Sequence, residues 1–173
     1  ARRDGSSCTA PEGRSHSHQK GLWKEWANAA KDATSGVATI LGSLNDYYTA
    51  NMALTGFTAP KILWVKKNEP ENFAKIAKIM LPNVYLAYLL SGVHCTDVSD
   101  ASGMLLMDVK NRCWSKEMLE ICGISEEQLP KLYESYEVVG NLKTDVAEEL
   151  GLTTGVKVIA GAGDNAAAAV GTG

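Results

Sequence analysis

Close to its end this 173-residue chain runs from the strand signal of residues 156–160 straight into Gly161-Ala162-Gly163-Asp164-Asn165, and then into the small run Ala166-Ala167-Ala168-Ala169. The β-branched content of 156–160 fits a strand, and the small residues beyond Asn165 fit a thin helix packed close to it. Two glycines at the join remove side chains beside Asp164, so backbone or ligand can approach closely. Asp164 falls at or near the N-cap of the helix that follows. The positive end of the helix dipole favours the ionised carboxylate there. Such a group can orient a hydroxyl and accept its proton. On the turn alone, the plain capping role of a Gly-Asp-Asn turn is the favoured reading. The segment matches neither the phosphate loop G-x-x-x-x-G-K-[ST], since no lysine follows, nor G-x-G-x-x-G, since Ala166 takes the last glycine's place.

Upstream, helix and strand signals alternate, which predicts an α/β domain. Thr58 can cap a helix with Pro60 in its first turn. Pro70 is expected to open a second helix that carries Phe73, Ile76, Ala77 and Ile79-Met80 at helical spacing. A third spans 82–90 and stops at Gly92, within the most apolar stretch, 79–90, read as a buried or half-buried helix. Residues 93–109 read as extended or looped, with the apolar run Met104-Leu105-Leu106-Met107. Ser115 caps a short helix ending at Gly123, and Ser125 and Gln128 have capping-box spacing. Residues 136–140 read as a strand, and Thr144 caps a helix ending at Gly151. Residues 21–33 could form a helix, and the polar stretch 1–20, with His16 and His18, reads as a solvated, disordered tail.

A formal net charge of −3 gives no electrostatic case for a nucleic-acid or anionic-membrane partner. No apolar run is long enough to span a bilayer. The cysteines, Cys8, Cys95, Cys113 and Cys122, form no C-x-x-C pair. They are expected to be reduced and mostly buried, in keeping with a cytoplasmic protein. The first residues lack an apolar leader and an initiator methionine, so a partial chain is expected.

Three blocks carry a resemblance to a known family. They are Thr55-Gly56-Phe57-Thr58-Ala59-Pro60-Lys61-Ile62-Leu63-Trp64-Val65-Lys66-Lys67, then Thr96-Asp97-Val98-Ser99-Asp100-Ala101-Ser102-Gly103 followed by Leu105-Leu106-Met107-Asp108 and Trp114-Ser115, then Gly161-Ala162-Gly163-Asp164-Asn165-Ala166-Ala167. In order and spacing, residues 49–173 resemble part of the N-terminal domain of the FGGY carbohydrate kinases, most closely the xylulokinase branch. Residues 1–48 match poorly and are expected to be partly disordered. Glycerol kinases carry an aromatic residue, an Asn and an Arg where this chain has Val98, Asp100 and Gly103, so the ketose-kinase version fits better.

The resemblance implies an α/β, actin-like (ribonuclease H-like) fold, here incomplete. It implies ATP-dependent phosphorylation of a ketose, D-xylulose to D-xylulose 5-phosphate, with sugar and ATP as small-molecule partners. Mg²⁺ would arrive with the nucleotide, with no metal held by protein side chains alone. The matching Asp is the family's catalytic base, here Asp164, and the next residue, Asn165, contacts the sugar; no residue is assigned to the nucleotide. A homodimer of the full-length enzyme fits the same reading. Asp97 and Asp100 could line the cleft or bond local backbone. Trp64 reads as helix packing and Lys61 as a solvated charge. The family's Asp-x-Gly-Thr loop, its Met-His pair and its C-terminal domain find no match. The isolated chain is therefore expected to be inactive and poorly stable. The alternatives are a kinase of ribulose, gluconate or glycerol, and a non-catalytic actin-like sugar-binding module.

Overall fold

The computed structural model describes residues 49–51 and 56–173. The helix expected over 21–33, the tail of 1–20 and Cys8 lie outside the described residues. In chain order the elements are α1 (Thr58–Asn68), α2 (Pro70–Phe73), α3 (Pro82–Ser91), β1 (Cys95–Asp97), α4 (Val98–Ser102), β2 (Met107–Asp108), β3 (Cys113–Trp114), α5 (Lys116–Cys122), a 3₁₀ turn (Glu126–Gln128), β4 (Lys131–Tyr133), β5 (Val138–Asn141), α6 (Thr144–Leu150), β6 (Lys157–Ile159) and α7 (Asp164–Thr172). They divide into two compact units. One takes the described residues up to Lys75 together with Ser102–Glu126; the other takes Ile76–Ala101 and Glu127–Gly173.

The first unit is built on the apolar run that follows α4. Met104, Leu105, Leu106 and Met107 are all fully buried. A regular strand would send alternate side chains outward. Leu105 instead takes a positive φ of 60°, which bends the chain so that successive side chains all reach the interior. The run is pinned at both ends, by the Ala59 amide donating to the Met104 carbonyl (3.0 Å) and the Ser115 amide to Leu106 (2.8 Å). Ala59 and Ile62 from α1 and Met118, Leu119 and Cys122 from α5 complete this core. The helix of α5 begins as its sequence dictates. The Ser115 hydroxyl accepts from the Met118 amide at 3.3 Å, and Gly123 ends the helix with φ 71°, the left-handed conformation glycine adopts without strain. Two expected caps shift by one residue: α1 is capped by Phe57 and α6 by Lys143, so Thr58 and Thr144 are their first helical residues. Trp64, expected to pack, is 56% exposed.

The second unit holds the candidate site. Strands β1 and β4 pair in parallel, Cys95 opposite Lys131 and Asp97 opposite Tyr133. Strands β5 and β6 pair antiparallel, with a bulge between Val138 and Gly140. Helix α3 contacts β1, β5 and β6 and ends at Gly92 in the left-handed conformation. It buries only Val84 and exposes Tyr85, Leu86, Tyr88 and Leu89, so the apolar stretch is less buried than its composition suggests.

The helix expected from Pro70 through residue 80 is corrected. It stops at Phe73, and residues 76–81 run without regular structure. Their backbone groups bond elsewhere: the Ile79 amide donates to the Gln128 carbonyl (2.8 Å), the Gln128 side-chain amide to the Ile76 carbonyl (2.7 Å). A helical spacing of apolar residues therefore yields to hydrogen bonds with a segment about fifty residues along the same chain, which satisfy the same donors and acceptors. The thiols of Cys95 and Cys122 are free and buried, and burial pushes that of Cys122 up to about 12. Cys113 is disulfide-bonded, against the expectation of reduced thiols throughout.

Candidate functional site

The turn from Ala160 to Gly163 leaves β6 and enters α7. Gly161 takes φ 85°, a conformation that favours glycine, and its amide donates to the Ser135 carbonyl at 3.1 Å. Gly163 is the N-cap of α7 with an extended backbone, φ −57° and ψ 152°. Its missing side chain is used: a Cβ there would lie 3.4 Å from both Cα and Oδ1 of Asp100. Asp164 is thus one position inside the helix rather than its cap. One carboxylate oxygen, Oδ1, accepts from the Asn165 amide at 2.7 Å. Both Asp164 and Asn165 are exposed. The acid lies in the first turn of α7, where the helix dipole supports its charge.

Beneath this turn lies Asp97, at the end of β1 and wholly buried. A buried carboxylate is costly unless its lone pairs are filled, and here they are. Asp97 Oδ2 accepts from the Ser99 amide (2.7 Å), from the Ser99 hydroxyl and from the Ser135 hydroxyl (2.9 Å). Asp97 Oδ1 accepts from the Asp100 amide (3.3 Å). The Ser99 oxygen in turn accepts from the Gly163 amide at 3.0 Å. Of the two roles open to the loop aspartates, Asp97 takes the backbone-bonding one and extends it to a serine on another segment. Ser99 sits two residues after Asp97, the spacing of an Asx-type turn, a signal that could have singled it out. Nothing local marks Ser135.

Asp100 is half-buried against Gly163. Burial raises its carboxyl above the ordinary value of 3.8; a hydrogen bond from Asn83 works against that, and the charges of Asp97 and Asp164 add to it. Asp100 is half-buried and Asp164 faces solvent; burial is the largest of the influences on Asp100 and the charge of Asp164 the smallest. An acid whose folded value is raised contributes stability at pH below its unfolded value and loses it as pH rises through the folded value. Asp100→Asn, neutral at every pH, is therefore expected to raise the melting temperature at pH 7. That gain should shrink as pH falls and vanish below the ordinary value of 3.8. Thermal melts across this window check it, and a destabilised variant at pH 7 would count against a raised Asp100 carboxyl.

Among the described residues no three His, Cys, Asp or Glu side chains gather into a metal-binding group, and no helix is long and apolar enough to cross a membrane.

Residues 41–171 match the N-terminal domain of the FGGY family of carbohydrate kinases. Over 125 residues the chain is 49% identical to the xylulose kinase of Escherichia coli (strain K12), an alignment covering 72% of this chain and 26% of that protein. The crystal structure of a xyloylose kinase from Brucella ovis superposes with a TM-score of 0.71 at 39% identity, covering 84% of this chain and 28% of the other. That of a gluconate kinase from Lactobacillus acidophilus gives the same TM-score, 0.71, at 27% identity, covering 83% and 28%. The chain thus spans only about a quarter of the length of its curated relatives, 26% in the first case. The fold is the α/β, actin-like one expected from the sequence. With its matched region running from before α1 to the last turn of α7, the chain belongs to the FGGY family of carbohydrate kinases.

Proposed function

We propose that this chain is part of the N-terminal domain of an ATP-dependent ketose kinase, acting on D-xylulose to give D-xylulose 5-phosphate, with Asp164 as the base and Asn165 as a sugar contact. The observation that carries the reading is the exposed carboxylate of Asp164 at the start of α7, entered through two glycines and backed by the half-buried Asp100. The names borne by the similar proteins, xylulose kinase among them, support the choice of sugar.

In this reaction the sugar hydroxyl oxygen bonds to the γ-phosphorus of ATP, the bond from that phosphorus to the ADP oxygen breaks, and the hydroxyl proton passes to Asp164. Phosphoryl transfer passes through a loose transition state with little covalent demand on the nucleophile, so holding the hydroxyl in line matters most. A weak base such as a carboxylate suffices if it holds the attacking hydroxyl in line. Asn165, next on the helix, offers a donor and an acceptor to neighbouring sugar hydroxyls. Mg²⁺ enters with the nucleotide as part of the substrate. The same reading carries a cytoplasmic setting and a homodimer for the full-length enzyme.

A panel of D-xylulose, D-ribulose, gluconate and glycerol, given to the full-length protein with MgATP, tests the proposal. The expected result is the highest kcat/KM for D-xylulose. A preference for gluconate or glycerol would overturn the sugar assignment. Sugar binding without turnover of any of the four would replace the kinase by a binding module.

A further inference from the structure

The two glycines that deliver Asp164 are each held by something that Asp97 holds. The Gly163 amide donates to the Ser99 hydroxyl oxygen, and that hydroxyl donates to Asp97. The Gly161 amide donates to the Ser135 carbonyl, and the Ser135 hydroxyl also donates to Asp97. The Asp100 amide completes the set. One buried carboxylate at the end of β1 thus gathers the segment after β1, the segment after β4 and, through two serines, both ends of the turn before α7.

We propose that Asp97 is a positioning residue, and that the relay Asp97–Ser99–Gly163, with its second arm Asp97–Ser135–Gly161, fixes where the Asp164 carboxylate stands relative to Asp100. The direction of the bonds supports this. A hydroxyl has one proton and two lone pairs. Because Ser99 gives its proton to the carboxylate, a lone pair is left to receive the Gly163 amide. An uncharged partner at 97 would not impose that orientation as strongly. The chain therefore uses a residue that never meets the reacting atoms to set the geometry of one that does. A misplacement of the order of 1 Å at such a group costs about a hundredfold in rate. The catalytic meaning of the relay depends on Asp164 being the base; the relay itself does not.

The test uses the full-length protein with two readouts, since replacing Asp97 itself could prevent folding. Ser99→Ala removes only the oxygen between Asp97 and Gly163, and Ser99→Thr keeps it. The first readout is hydrogen exchange of the peptide covering 160–165. Ser99→Ala is expected to speed exchange at Gly163 by about fivefold, the loss of one ordinary hydrogen bond, and Ser99→Thr to restore it. The second is steady-state kinetics with the sugar. Ser99→Ala should lower kcat by about tenfold to a hundredfold with little change in KM, and Ser99→Thr should recover most of it. Ser135→Ala should speed exchange at Gly161 and lower kcat in the same direction.

Unchanged exchange at Gly163 in Ser99→Ala would overturn the relay, whatever the activity. Faster exchange with unchanged kcat would overturn the positioning role. Equal losses in Ser99→Ala and Ser99→Thr would do the same, because they would point to packing rather than the hydroxyl. If the unaltered protein phosphorylates no sugar, the proposed function falls, and the exchange readout still decides whether the turn is held through Asp97.

Discussion

If the proposed kinase reading holds, Asp164→Asn is expected to lower kcat of the full-length protein by at least about a hundredfold, with the KM for the sugar changing by less than about threefold. The substitution keeps the shape and an oxygen able to accept from the Asn165 amide, the bond that Asp164 Oδ1 makes now. It removes the ability to take a proton. Because Asp164 is exposed and the variant keeps the oxygen that the Asn165 amide uses, the fold has little reason to change, and circular dichroism of the variant should match the parent. Asp164→Ala removes the orienting oxygen as well and should be at least as inactive. Retention of more than a few per cent of activity in Asp164→Asn would exclude Asp164 as the base. The nearby Asp100 would then need to be examined in its place, since its raised proton affinity makes it the other acid in the pair able to hold a proton.

The largest structural effect is expected at Leu106. Leu106→Ala should lower stability by about 2–5 kcal/mol, the range for truncating a buried leucine. Leu106 is fully buried within the run Met104–Met107, and its own carbonyl receives the Ser115 amide. The backbone is thus tied in place and cannot readily collapse into the space left behind. Incomplete collapse puts the cost toward the upper part of that range. Urea denaturation of the full-length protein should show a lower midpoint with an unchanged slope if the loss is one of stability alone. Leu150→Ala provides the control: Leu150 is 56% exposed, and its truncation should cost no more than about 0.5 kcal/mol. A Leu106→Ala cost as small as that of Leu150→Ala would mean that the run is not the core of its unit.

The two expectations differ in how far the sequence anticipated them. The turn carrying Asp164 was legible because its signals are adjacent: a strand, two glycines, an acid and a run of alanines. Asp164 lies one residue past the N-cap Gly163, within the place at or near the cap that the sequence gives it. The core run was visible as apolar residues, but its burial on every side depends on the positive φ of Leu105, which a leucine does not announce. The irregular path of 76–81 was missed because its hydrogen-bond partners lie at Glu127 and Gln128, far along the chain.

What the sequence by itself determined is local. Gly92, Gly123 and Gly151 end α3, α5 and α6 in the left-handed conformation, Ser115 starts α5, and Gly161 to Asp164 turn a strand into a helix. Each depends on steric limits and hydrogen bonds within a few residues, so the order of residue types is enough. Tertiary structure alone decided that Asp97 is a buried hub, that Ser135 joins it from 38 residues away, and that Asp100 lies within the field of Asp164. Burial removes water as an alternative partner, so a polar group must bond whatever the fold brings beside it. Which group that is depends on chain segments that meet only when β1, β4 and the turn before α7 come together.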